Sequence, residues 1–95
     1  MSDAKALDRA TKARAVLDSL AYQEAYTTVR QKLVDALFAV KYEDKDEAED
    51  FRRCVKLLDA LKGELDQMVI AGKVAEANLD ELEKRRKNPL RGIFR

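Results

Sequence analysis

Residues 51–82 read FRRCVKLLDALKGELDQMVIAGKVAEANLDEL. Counted in sevens, Phe51, Leu58, Leu65, Gly72 and Leu79 share one position, and Cys54, Leu61, Met68, Ala75 and Leu82 each fall three residues later. Nine of these ten carry apolar side chains, with Gly72 the exception. A stripe at this 3-4 spacing is the seam of a coiled coil or of a long helical hairpin. Between the stripe positions lie Arg52, Arg53, Lys56, Lys62, Glu64, Asp66, Lys73, Glu76, Asp80 and Glu81, which read as solvated faces.

The rest of the chain is compatible with helix. Charged residues make up 39% of the 95, aromatics only 6%, and there are three Gly and one Pro, a mixture that favours long helices over sheets. A chain of this length forms one small domain at most. From the N-terminus, Ser2 is an N-cap with Asp3 in the first turn, where the helix dipole favours an anion. No Gly or Pro interrupts residues 1–62, so one long first helix over 3–41 is expected, with a possible third helix if Asp18-Ser19 caps a fresh start. The charged stretch 42–45 is the turn, and a second long helix runs over 46–87. Pro89 ends it, because it lacks an N–H donor and disfavours helical geometry at Asn88. The expected fold is therefore all-α: an elongated antiparallel helical hairpin over residues 1–87 with coiled coil-like packing, followed by a tail at 88–95.

If the chain reverses near 42–44, residues whose numbers sum to about 86 face each other. Leu79 then meets Leu7, while Gly72 and Ala75 come opposite residues 11–14, beside the small Ala10 and Ala13. Bulk meets bulk and small meets small, as an antiparallel pair requires. The first arm is also apolar over a wide arc, with Val34, Leu37 and Phe38 flanking Val29, Leu33, Ala36 and Val40, and with Tyr22 and Tyr26 nearby. Two helices alone leave part of that arc wet, which implies a homo-oligomer or a large partner.

Charge is segregated. Residues 1–83 hold 13 Lys/Arg against 18 Asp/Glu, a net −5, whereas residues 84–95 hold Lys84, Arg85, Arg86, Lys87, Arg91 and Arg95 with no acid, a net +6. Leu90, Ile93 and Phe94 alternate with these arginines. Such a tail suits two roles: a docking peptide whose apolar side chains enter a partner's pockets, or a nucleic-acid contact made through phosphates. Six acids at 43–50 mark a helix start complementing the dipole; they lack the ligand spacing and turn glycine of a calcium loop.

Other chemistry is missing from the sequence. It has no His, no Trp, no second Cys, no Gly-rich phosphate loop and no nucleophile with an orienting base, so neither catalysis, a cofactor, a metal nor a small-molecule substrate is expected. Cys54, on the stripe, reads as a small buried apolar residue. Residues 2–15 are charged and lack the apolar core of a secretion signal, and no run reaches the ~18 apolar residues of a membrane span. The expected location is an intracellular, reducing one.

Taken together, Ala15-Val16-Leu17-Asp18-Ser19, the run 26–37, the acidic turn, Leu57-Leu58-Asp59-Ala60-Leu61 and Ile70-Ala71-Gly72-Lys73 resemble small helical proteins of tailed bacteriophages, encoded among head and DNA-packaging components. The resemblance assigns no role to any residue. It implies a class: a virion or assembly protein, in the virion or the host cytoplasm, packing in many copies against larger structural proteins.

Overall fold

A computed structural model describes residues 2–87. The chain forms three helices, α1 (Asp3–Asp18), α2 (Leu20–Ala39) and α3 (Lys45–Lys87), with no strand among the described residues. It is elongated, with extents of 73 × 26 × 18 Å and a radius of gyration of 21.4 Å. A compact domain of this length has a radius near 12 Å. The long axis is α3, whose 43 residues span about 64 Å at 1.5 Å each.

The first arm is broken where a continuous helix was expected. Ser19 adopts an extended conformation, φ −65° and ψ 124°. Its N–H donates to the Val16 carbonyl at 3.1 Å, closing α1, while its carbonyl accepts from Gln23 N–H at 3.0 Å and its Oγ from Tyr22 N–H at 3.3 Å, opening α2. The Gln23 side chain donates to the Leu17 carbonyl at 2.8 Å, filling an acceptor that the break would orphan. One serine thus ends one helix and caps the next, and neither Gly nor Pro is needed. At the start of α1, Ser2 Oγ accepts from Lys5 N–H at 3.3 Å, as its sequence position anticipates.

The turn between the arms spans residues 40–44. Val40 leaves the helix with its N–H donating to the Leu37 carbonyl at 3.3 Å, and Asp44 N–H donates to the Lys41 carbonyl at 2.9 Å. The first arm therefore stops at Ala39 instead of residue 41, and α3 begins at Lys45, one residue earlier than expected.

α3 runs antiparallel to α2 and α1 and contacts them in succession. Its earlier part meets α2, where Asp59 faces Tyr26 and Arg30. Its later part meets α1 in a close approach at Gly72. A Cβ placed on Gly72 would lie 2.1 Å from the Ala10 Cβ and 3.6 Å from the Ala6 carbonyl oxygen. Gly72 thus packs one turn nearer the N-terminus of α1 than residues 11–14. Ala10, Ala13 and Ala75 are the buried hydrophobic side chains among the described residues, all clustered around this contact.

The stripe divides along α3. Phe51, Leu58, Leu65 and Met68 are half-buried, and Gly72 and Ala75 are buried, but Cys54, Leu61, Leu79 and Leu82 are exposed. Cys54 is thus a surface thiol, contrary to its sequence reading. In the earlier part of α3 the other half-buried positions between Phe51 and Leu65 are Val55, Asp59, Lys62 and Gly63, so burial falls four residues after Phe51 and Leu58 rather than three. The Ser19 break separates the α2 contact from the α1 contact, and the buried set on α3 widens beside the stripe in its earlier part.

The two helical glycines give a paired prediction. Nothing lies within 4 Å of a Cβ on Gly63, so Gly63→Ala should stabilise the chain by about 1 kcal/mol through helix propensity. Gly72→Ala should instead lose about 1–3 kcal/mol to overpacking against Ala10, and Ala10→Gly in that background should restore part of the loss. Urea unfolding followed by circular dichroism reads both; a Gly72→Ala variant as stabilised as Gly63→Ala would contradict the close approach.

Candidate functional site

The second contact between the arms is polar. Tyr26 and Arg30 sit one turn apart on α2 and converge on the carboxylate of Asp59 in α3. The Tyr26 hydroxyl and Arg30 Nε (3.1 Å) both donate to Oδ1, and an Arg30 terminal nitrogen donates to Oδ2 at 3.3 Å. Lys62, one turn further along α3, places its Nζ 5.8 Å from the Tyr26 ring centroid, within cation–π range. The Tyr22 ring stacks on Tyr26 with centroids 6.2 Å apart, and the buried Tyr22 hydroxyl has no hydrogen-bond partner.

The electrostatics of this group are those of a clamp. The hydrogen bonds from Arg30 and then Tyr26 hold the Asp59 carboxyl below its ordinary range. The hydrogen bond to Asp59, with desolvation, pushes the Tyr26 phenol up. Asp59 is thereby held as the anion and Tyr26 as the neutral phenol, each shifted further from the near-neutral titration that suits a proton-transferring residue. Arg30 and Asp59 both keep roughly two-fifths of their side-chain surface in water, so the clamp fixes register more than it adds stability. Sequence reading noted the two tyrosines only as an aromatic patch. The signal for more was there: Tyr26 and Arg30 at i, i+4, with Asp59 close to the register point opposite them.

Around the clamp the surface is apolar. On one face of α3, Cys54 is followed by Leu57 and Leu61, 70% and 59% exposed. Leu20, at the start of α2, is 68% exposed. An open groove of 250 Å³ between α1 and α3 is lined by Ala13, Val16, Leu65 and Met68 with Arg9 and Lys12. Ile70 and Val74 form a further exposed pair. Of the wide arc read on the first arm, Val29 and Phe38 are exposed, whereas Leu33, Val34, Ala36, Leu37 and Val40 are half-buried. At the turn, Phe38 and Tyr42 stand 83% and 93% exposed. Beside them a second open groove, of 350 Å³, is lined by Ala36, Ala39, Val40 and Phe51 with Lys41, Asp44 and Glu47.

Lys84, Arg85, Arg86 and Lys87 form the last turn of α3. Arg85 pairs with Glu81 at 3.6 Å and Lys87 with Glu83 at 3.0 Å, while Arg86 lines an open groove with Leu79 and Leu82. Leu90, Arg91, Ile93, Phe94 and Arg95 lie outside the described residues. Among the described residues, no group of three or more His, Cys, Asp or Glu side chains is placed to hold a metal ion, and no helix is long and apolar enough to cross a membrane. Comparison with protein-family models, curated proteins and solved structures finds no match.

The clamp predicts a pH dependence. Because the carboxyl of Asp59 is held below its ordinary range, its contribution is present above that range and is lost as the pH falls through the lowered value. The stability difference between the wild type and Asp59→Asn should be largest near neutrality and shrink on acidification below pH ~4. A difference that stayed constant from neutral to acidic pH would contradict the clamp. A raised Tyr26 phenol adds the opposite limb: the contribution lost in Tyr26→Phe should persist up to pH ~10 and fade above it.

Proposed function

We propose that this chain is a non-enzymatic structural or assembly protein that works by helix packing, completing its apolar surface against copies of itself and against larger structural partners. The observation that carries this reading is the mismatch between apolar content and burial. The chain is 46% hydrophobic, yet the buried hydrophobic side chains among the described residues are three alanines, and Leu20, Phe38, Leu57 and Leu61 stand mostly in water. Exposed apolar faces of this kind mark interaction surfaces, and large side chains aligned on one helix suit helix-to-helix contact.

The resemblance to small helical proteins of tailed bacteriophages supports a narrower form, a virion or assembly component acting in many copies beside head, portal or neck proteins. A nucleic-acid role is the second reading, carried by six bases without an acid over 84–95. It would show as binding that weakens steeply with salt. The intrahelical pairs of Arg85 and Lys87 and the acidic body favour the structural reading.

Sedimentation equilibrium tests it. The full chain should sediment as an oligomer at micromolar concentration, and Leu57→Ser/Leu61→Ser should weaken that association by tenfold or more, about 1.4 kcal/mol, without loss of helix. A monomeric wild type, or an oligomer indifferent to both leucines, would contradict the role given to the α3 face.

A further inference from the structure

The two ends of the molecule are complementary in charge and chemistry. The turn end presents the apolar groove walled by Ala39, Val40 and Phe51, with Phe38 and Tyr42 exposed on the same end. Asp44 and Glu47 line it together with Lys41, Glu43 and Asp46 lie beside them in sequence, and among the described residues none of these four carboxylates is in a salt bridge, whereas the neighbouring Glu49 and Asp50 are paired with Arg52 and Arg53. The opposite end carries Lys84 to Lys87 and continues into Leu90, Arg91, Ile93, Phe94 and Arg95. One end offers an apolar slot with free negative charge at its rim; the other offers bulky apolar side chains interleaved with positive charge.

We propose that the segment following α3 in one copy docks in the turn groove of a second copy, joining molecules head to tail. This rests on the reading that the chain acts by association with itself. The occupant is a second copy because the first cannot reach. Phe94 lies seven residues beyond Lys87, at most ~25 Å of fully extended chain, whereas the groove lies at the far end of α3, about 64 Å away. A contact between unlike surfaces of identical chains is heterologous, so it either closes into a ring or propagates as a file. Apolar side chains in the slot provide affinity, and the arginines against the acidic rim set orientation and encounter rate. The groove volume of 350 Å³ lies at the small end of ligand-sized pockets, enough for one or two side chains of the segment.

The test mixes two full-length variants, each dead at one end, both carrying Leu57→Ser/Leu61→Ser so that lateral contact is removed. Asp44→Arg/Glu47→Arg disables the groove, and Ile93→Asp/Phe94→Asp disables the segment; Asp44 and Glu47 are exposed. Each variant alone should be monomeric by light scattering, and the mixture should form a 1:1 complex, because one intact groove meets one intact segment. Raising salt from about 50 mM to about 500 mM should weaken that complex by tenfold or more as the charged rim is screened. A mixture that stays monomeric while the otherwise wild-type chain still oligomerises through Leu57 and Leu61 would overturn head-to-tail docking and leave the packing role intact. A mixture that forms the 1:1 complex when Leu57 and Leu61 prove irrelevant to association would uphold the docking and sink the lateral face.

Discussion

Everything in this structure hangs on the place where Gly72 lies against Ala10. Two helices can approach so closely only if one contributes no Cβ, and the 2.1 Å separation that a Cβ would create is far inside van der Waals contact. Ala13 and Ala75 fill the remaining space with methyl groups. Small residues let the backbones come together, but they bury little apolar area each, and burial scales with area. The contact is close and its hydrophobic yield is low. That leaves the larger side chains Leu57, Leu61, Leu20 and Phe38 mostly uncovered by the described residues.

The other determinants follow from that contact. α1 can reach Gly72 and α2 can reach Asp59 because Ser19 lets the first arm change direction between them. The bidentate bond from Arg30 and the hydroxyl of Tyr26 then fix register on the α2 side, where the interface is only half-buried. One contact excludes water by closeness, and the other tolerates it through charge. Between them they hold a rod with an acidic end, a basic end and apolar flanks.

Much of this was legible in the sequence, and the misses have physical causes. Helix content followed from composition and period. The closeness of Gly72 to small residues of α1 followed from antiparallel pairing, though Ala10, and not residues 11–14, is the partner. Ser19 was legible as a cap and as a place where a fresh helix can start, but a pattern of apolar residues does not say whether a helix continues through a serine; the extended backbone of Ser19, with the bond from Gln23 to the Leu17 carbonyl, is where the structure breaks it. Cys54 and Leu61 sit on the heptad stripe yet are exposed, because in the earlier half of α3 burial falls on Phe51 and Leu58 and on Val55, Asp59 and Lys62 beside them. A seam read from one helix cannot report that its partner changes. The Asp59 clamp was missed because a lone acid among many on a charged helix carries no periodic signal; only the antiparallel register, applied to Tyr26 and Arg30, points to it.

The central claim is that this chain lacks a sufficient core and completes it by association. The most direct measurement is the thermal unfolding midpoint of the full chain as a function of its own concentration. If folding is coupled to association, mass action requires the midpoint to climb by several degrees over a hundredfold rise in concentration. A midpoint that does not move across that range would mean that the three helices are stable alone, and that the exposed leucines are surface and nothing more.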